Sequence, residues 1–137
     1  MTEKDKRYYT HLLPEESKVW RRFLEKYEDR FERYEYDIHV GKGAIPPGEI
    51  DNKYKENFSR LTRKRIDVVG FVGTRPVIIE VRPYVAYHLA GKLEGYRYFW
   101  TQEHPDDEPP ALLLICEWCN NEDRTFFASR DIEVAVV

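Results

Sequence analysis

The chain has few cysteines, and this restricts the kinds of site that it can form. Of its 137 residues only two are cysteine, Cys116 and Cys119, and they form a single C-x-x-C. A structural zinc site needs about four ligands, and the histidines are scattered without metal-type spacing. A redox pair usually opens a helix, whereas Cys116 ends an apolar run. We therefore interpret the thiols as one buried and one peripheral side chain.

The chain also lacks a long apolar run and an excess of positive charge. No run approaches the roughly 20 residues that span a bilayer, and the opening MTEKDKR has no signal-peptide pattern. We therefore expect a soluble, cytoplasmic protein with no membrane partner. The net charge of -3 argues against binding nucleic acid through bulk positive charge, but it leaves room for a local basic groove.

Hydrophobic periodicity predicts one α/β domain at residues 15–137, preceded by an arm at 1–14. Apolar residues at three- and four-residue steps predict helices at 15–33 and 86–100. In the second helix we attribute Gly91 and Gly95 to close approach to the sheet. Alternation or continuous apolar character predicts strands at 34–40, 65–73, 76–83, 111–118 and 131–137, with a Pro/Gly loop at 44–51 and a short helix at 52–64. The expected architecture is a central mixed β-sheet flanked by helices on both faces.

Three charged residues lie within the predicted hairpin of residues 65–83. Charges inside runs of Val, Ile and Phe are costly unless they are paired, hydrogen-bonded or bound to a metal. If Val72 pairs with Val77, Asp67 lies opposite Arg82, and Glu80 shares their face of the sheet. Two readings stay open: a hydrolytic metal site, or a buried ion pair.

The order of these elements and their motifs resembles the PD-(D/E)XK nuclease-like superfamily. The motifs are I-D-V-V-G-F, then V-I-I-E-V-R-P, then A-G-K-L-E-G-Y on the following helix. Asp67 matches the first carboxylate and Glu80 the acidic position of the triplet. Lys92 and Tyr96 match the helix motif, with Lys92 in place of Gln. Arg82 stands where an active member usually has Lys. The resemblance covers about residues 15–118 and implies a restriction-endonuclease-like core.

The resemblance also implies a chemistry. Asp67 and Glu80 would hold Mg²⁺ or Mn²⁺, and the catalytic set would be Asp67, Glu80, Arg82 and Lys92, with Glu25 or else Glu32 as a helper. The expected activity is that of a Mg²⁺-dependent endo- or exodeoxyribonuclease acting on DNA phosphodiesters. Arg82 keeps the positive charge of Lys, but it is planar and cannot share its proton, and its fork suits a carboxylate clamp. If Arg82 forms such a clamp, we expect the nuclease activity of the site to be degraded.

Further residues would contact nucleic acid, and a rival function has to be weighed. Arg63 and Lys64 belong to a basic run before the Asp67 strand, and Lys42 and Tyr96 are further candidates for phosphate contact. The rival is a non-catalytic structural or assembly protein on the same fold, such as a component of a phage particle. The surplus of aromatic residues favours it, since Tyr and Trp are enriched at interfaces. The expected partners are accordingly DNA, a second copy in a homodimer, or phage assembly proteins.

Overall fold

The computed structural model describes residues 9, 11–44, 52–56 and 63–137. Its main elements are α1 (Pro14–Lys26), β1 (Arg33–Val40), β2 (Lys64–Val72), β3 (Arg75–Val81), α2 (Leu89–Glu103), β4 (Ala111–Cys116), α3 (Asn121–Ser129) and β5 (Ile132–Val136). Residues 52–56 are helical, as expected for the start of the short helix. The rest of that helix, most of the predicted arm and most of the Pro/Gly loop lie outside the described residues.

The strands form one mixed sheet in the order β1-β2-β3-β4-β5. β2 is antiparallel to both of its neighbours, whereas β3, β4 and β5 run parallel. Antiparallel strands can be joined by tight turns, but parallel strands need a crossover. The helices α2 and α3 supply the two crossovers. The predicted mixed central sheet is confirmed.

Helices cover both faces of this sheet, as predicted. On one face α1 packs through residues such as Trp20 and Phe23 against Ile79 of β3. On the other face Leu93 of α2 and Phe127 of α3 share a core with strand residues. The result is a three-layer α/β domain, and its two cores use alternate residues of the central strands.

The first helix ends earlier than its apolar spacing predicts. It stops at Lys26, because Tyr27 leaves helical geometry with φ -128°. Phe31 is nevertheless 6 % exposed and packs in the same core as α1. The connecting turn thus continues the apolar stripe without continuing the helix, which explains the error. At the other end, Tyr9 and Leu12 of the predicted arm are buried in this core.

The close backbone approach expected at Gly91 and Gly95 is absent. A Cβ atom built at either position meets nothing within 4 Å. The approach occurs instead at Gly70 of β2, where a Cβ atom would lie 2.8 Å from the Phe31 ring. The interpretation of the two α2 glycines was therefore wrong.

Helix α3 was not predicted, although its start carries a sequence signal. The Asn120 side chain accepts a hydrogen bond from the Asp123 backbone N–H at 2.8 Å. Glu122 and Asp123 stand in the first turn, where carboxylates favour the helix dipole. The helix carries the chain from the end of β4 to the start of the parallel strand β5.

Candidate functional site

The hairpin has a register two residues away from the expected one. Val72 pairs with Arg75 rather than Val77, and Val69 pairs with Ile78. A shift by an even number of residues keeps every side chain on its predicted face. Continued toward the open end of the hairpin, this register sets Asp67 opposite Glu80, so the carboxylates are brought closer than predicted.

Asp67 and Glu80 form a buried carboxyl pair. The Glu80 side chain is 1 % exposed and that of Asp67 is 14 % exposed. Burial, a hydrogen bond to Glu80 and the Glu80 charge together raise the pKa of Asp67 to about 8, against the opposing effect of Arg82. Two carboxylates that face each other in a buried site disfavour each other's ionisation, so the raised pKa of Asp67 favours its protonated form near neutral pH.

Two oxygens of this pair lack a hydrogen-bond donor. Asp67 Oδ2 and Glu80 Oε1 are buried and have no hydrogen-bond partner among the described residues. Buried polar atoms in native proteins are nearly always satisfied, so each exception calls for an explanation such as a bound ion. Both orphan atoms belong to the same pair of carboxyl groups, so a proton shared by the pair, or a cation in its place, would satisfy them.

Arg82 follows β3 and reaches three carboxylates. Its Nη1 atom lies 2.7 Å from Glu16 Oε2 and 3.9 Å from Asp67 Oδ2, and its Nη2 atom lies 3.5 Å from Glu80 Oε2. Burial lowers the pKa of Arg82, but the charges of Glu80, Asp67 and Glu16 outweigh this effect and raise it. Arg82 therefore pairs with Glu80 and lies near Asp67, but neither contact is the expected bidentate clamp, and the shortest contact of its guanidinium is to Glu16.

Glu16 is a site residue that the sequence analysis missed. It stands in the first turn of α1, and its Oε1 atom accepts a hydrogen bond from the Leu13 backbone N–H at 3.0 Å. Glu25, the predicted helper, is exposed further along α1, and Glu32 is exposed beyond its end. The structure brings neither of them to the site. An acidic residue at N3 is a recognisable capping signal, but nothing local shows that its second oxygen binds Arg82.

Lys92 and Tyr96 approach the pair from α2. Lys92 Nζ lies 3.0 Å from Glu80 Oε2, and the side chain is 38 % exposed. Tyr96 is buried, and its hydroxyl donates to the Arg65 carbonyl at 2.8 Å. Burial, followed by the charges of Glu80 and Asp67, raises the pKa of Tyr96. Lys92 thus joins the site, whereas Tyr96 connects α2 to β2 and does not face a phosphate.

A cavity of about 610 Å³ opens over these groups. Its lining is rich in cationic and titratable side chains: His11, Leu13, Glu16, His39, Arg63, Arg65, Asp67, Arg82 and Lys92.

At the edge of this cavity Asp37 gathers a second group that the sequence did not reveal. Its carboxylate lies 2.9 Å from His11 Nε2, 3.7 Å from His39 Nε2 and 3.1 Å from Arg65 Nε. Asp37 has φ +58°, a strained conformation that its side-chain contacts hold in place.

The predicted basic residues divide between two pockets. Arg63 lines the cavity, but its guanidinium donates to the Gly41 and His39 carbonyls at 2.7 and 3.3 Å. Lys42 and Lys64 line a separate pocket of about 470 Å³ beside α2. The ammonium group of Lys64 lies 4.5 Å from the centre of the Phe99 ring. Within this basic run, Arg65 is therefore the residue that lines the cavity without being held by backbone carbonyls.

The two cysteines are free thiols, and both are buried. Burial raises the pKa of Cys116 to about 11, and Cys119 adds to the effect. Burial also raises the pKa of Cys119. A raised pKa disfavours the nucleophilic thiolate. The structure corrects the expectation of a peripheral second thiol.

If the site takes a divalent ion, Asp67 and Glu80 are the residues that would hold it. Among the described residues, no group of three His, Cys, Asp or Glu side chains is arranged to hold a metal. Mg²⁺, however, is usually bound by one or two carboxylates together with water and substrate phosphates. A buried carboxyl pair with unsatisfied oxygens meets that requirement. Within the described residues no helix is long and apolar enough to cross a membrane.

Comparisons with protein-family models, curated proteins and solved structures gave no match to this chain. Fold and site together define an α/β protein in which a buried carboxyl pair lies beside a cavity with several cationic side chains in its lining. Because one fold supports many functions, the functional conclusion has to come from the site.

Proposed function

We propose that this chain is a PD-(D/E)XK-type nuclease that binds and cleaves DNA phosphodiesters with Mg²⁺ or Mn²⁺. The observation that carries the proposal is the buried Asp67–Glu80 pair beneath a cavity lined by Arg65, Arg82 and Lys92. Carboxylates at the floor suit a divalent ion, and cations on the walls suit phosphate oxygens.

The arrangement of the elements supports the same proposal. Helix α1 precedes three consecutive antiparallel strands, and α2 leads to the parallel strand β4. The carboxylates lie on β2 and β3, the second and third of these strands, as the resemblance requires. Glu16 supplies the first-helix carboxylate, in place of the expected Glu25. A restriction-endonuclease-like core is the finer classification that we propose for this α/β domain.

Each side chain then has a distinct role. Asp67 and Glu80 would hold the ion, which when bound would polarise the phosphate and lower the pKa of a water molecule. Lys92 takes the position of the missing lysine, because its ammonium contacts Glu80 and remains partly exposed. Arg82 binds the carboxylates, and it can also direct its exposed edge toward a phosphate.

Metal-dependent cleavage tests the proposal directly. Plasmid, linear duplex and single-stranded DNA are incubated with the protein in Mg²⁺, Mn²⁺ or EDTA. We expect cleavage with either ion and none in EDTA, and we expect Asp67→Asn and Glu80→Gln to abolish it. Glu25→Gln is the matched control, because this carboxylate is exposed on α1 and should leave cleavage unchanged. Absence of cleavage with every substrate and both ions would reject the enzyme.

The second candidate is the non-catalytic protein, and the contacts of Arg82 favour it. One guanidinium contacts three carboxyl groups, which is how a nuclease-like site that has lost its ion would be stabilised. Such a protein would act as a binding or assembly module, as a homodimer or within a phage particle. Such a protein would not cleave DNA, and Mg²⁺ would not raise its thermal stability. The enzyme should cleave DNA and should be stabilised by Mg²⁺.

A further inference from the structure

We propose that the site takes a single strand of nucleic acid, whose bases stack on the exposed rings of Tyr84 and Trp118 beside the cavity. The proposal rests on the proposed function for the chemistry at Asp67 and Glu80. It adds the substrate form and the surface that recognises it.

The carboxylates lie deep in the site. The Glu80 side chain is 1 % exposed, so the reacting phosphate must enter the cavity rather than lie across its edge. A volume of about 610 Å³ falls in the range of small-ligand sites, about 300–1,000 Å³. An unpaired strand is far more flexible than a duplex, whose persistence length is about 150 base pairs, so it can bring a phosphate into such a recess at a lower deformation cost.

Two exposed aromatic residues lie close along the chain to the cavity-lining Arg82, although neither of them lines the cavity itself. Tyr84 is 69 % exposed and Trp118 is 56 % exposed. They extend β3 and β4 side by side, since the two residues form a parallel bridge and Trp118 N–H donates to the Pro83 carbonyl at 3.3 Å. Tyr84 follows the cavity-lining Arg82 by two residues, so it lies within about 7 Å of Arg82 along the backbone.

The charge of the adjoining cavity identifies nucleic acid as the occupant. Arg65, Arg82 and Lys92 line the cavity, and a phosphate backbone bound to these cations would present its bases outward. Single-strand binding sites combine a cationic groove with aromatic rings, and stacking tolerates any base sequence. Tyr84 and Trp118 continue from the cationic surface and complete this combination.

The intrinsic fluorescence of Trp118 can report the binding of a single strand. The other two tryptophans, Trp20 and Trp100, are 0 % and 6 % exposed, so quenching by a stacked base would come from Trp118. The protein is titrated with a twelve-nucleotide oligothymidylate in EDTA, which separates binding from cleavage. We expect tryptophan fluorescence to fall on binding, and Trp118→Phe to lose that response. A duplex of the same length should give little quenching.

Affinity variants complete the test with a dye-labelled oligonucleotide. Trp118→Ala and Tyr84→Ala should each weaken binding about tenfold. Tyr98→Ala is the control, because Tyr98 is 59 % exposed on α2 but lines other pockets. Single-strand binding that survives both substitutions, or equal binding of the duplex, would overturn the inference. So would quenching that appears when the protein alone is concentrated, which would assign these rings to a contact between two copies.

The proposed function can fail separately from this inference. Quenching by the single strand without cleavage in any metal would reject the enzyme and support the binding surface. Cleavage of duplex DNA with no preference for single strands would support the enzyme and reject the binding surface.

Discussion

Asp67 is the residue whose chemistry changes most on folding. Its ordinary pKa of 3.8 rises to about 8, so the folded chain keeps a proton that the unfolded chain has released. A metal ion competes with that proton, because only the ionised carboxylate is a ligand. If the pair holds the proposed ion, the raised pKa of Asp67 therefore makes ion binding depend on pH.

The raised pKa of Asp67 predicts a stability that falls as the pH rises. Its contribution is complete below the unfolded pKa of 3.8 and is lost as the pH passes through about 8. Between these values the slope approaches about 1.4 kcal/mol per pH unit. Urea denaturation at several pH values without divalent ions measures it. Asp67→Asn should lack this slope, and curves that stay parallel for wild type and variant would contradict the assignment. Mg²⁺ should stabilise the wild type more as the pH rises.

Arg82 contacts Glu16, Asp67 and Glu80, so its removal takes a positive charge away from all three carboxyl groups. Arg82→Ala exposes three carboxylates to one another, and we expect a loss of about 3 kcal/mol, at the low end for a broken buried pair because the side chain is partly exposed. Arg82→Lys should lose less. Arg22→Ala is the control, since its 2.6 Å pair with Glu117 is a surface pair worth under about 1 kcal/mol.

The effect of Mg²⁺ on the Arg82→Ala variant distinguishes the two functions proposed for the protein. If the site binds an ion, Mg²⁺ should replace the lost charge and raise the melting temperature of Arg82→Ala toward that of wild type. A large drop that Mg²⁺ leaves unchanged would make Arg82 a structural clamp and support the non-catalytic candidate.

At the scale of elements, the hairpin shows how far pattern alone reaches. Alternation correctly predicted that Asp67 and Glu80 share a face, because a strand has a period of two residues. The register was wrong because the turn was taken to span four residues, whereas Val72 and Arg75 pair across Gly73 and Thr74. Gly73 has φ +62°, a conformation typical of two-residue hairpin turns. A glycine at the start of a possible two-residue turn was thus the signal that determines the register.

We expect replacement of a glycine by alanine to have opposite effects on stability in α2 and in β2. Gly91→Ala should stabilise the protein by up to about 1 kcal/mol, because Ala favours the helix and its Cβ atom meets open space. Gly70→Ala should destabilise it by about 1–3 kcal/mol, because the Cβ atom would overlap the Phe31 ring. Denaturation midpoints of both variants test this, and a stabilising Gly70→Ala would contradict the packing.

At the scale of the whole molecule, the sequence predicted the helix and sheet layers better than it predicted which side chains contact one another. Apolar runs showed which segments are strands and which stripes face the core, because burial leaves a periodic trace. The contact between Glu16 and Arg82 joins residues 66 positions apart, and the Asp37 group depends on a strained backbone position. Neither leaves a local pattern. The candidate carboxylates could therefore be predicted, but most of the groups around them could not.

The charge distribution of the whole molecule predicts how DNA binding responds to salt. The net charge is -3, so binding depends on local cations at the cavity rather than on the overall field. Arg65, Arg82 and Lys92 are the cavity cations whose side chains are not held mainly by backbone carbonyls. Three phosphate contacts on a single strand correspond to a slope of log K against log salt of about -2.

Removing one of these cations should lower the slope by a predictable step. Arg65→Ala should weaken single-strand binding at low salt and reduce the magnitude of the slope by about 0.7, because one fewer counterion is released. Arg75→Ala is the matched control, since this arginine pairs with Glu108 at the hairpin turn and does not line the cavity. Fluorescence anisotropy at several salt concentrations measures both variants. An unchanged slope for Arg65→Ala, or an equal loss for Arg75→Ala, would mean that phosphate binds away from the cavity.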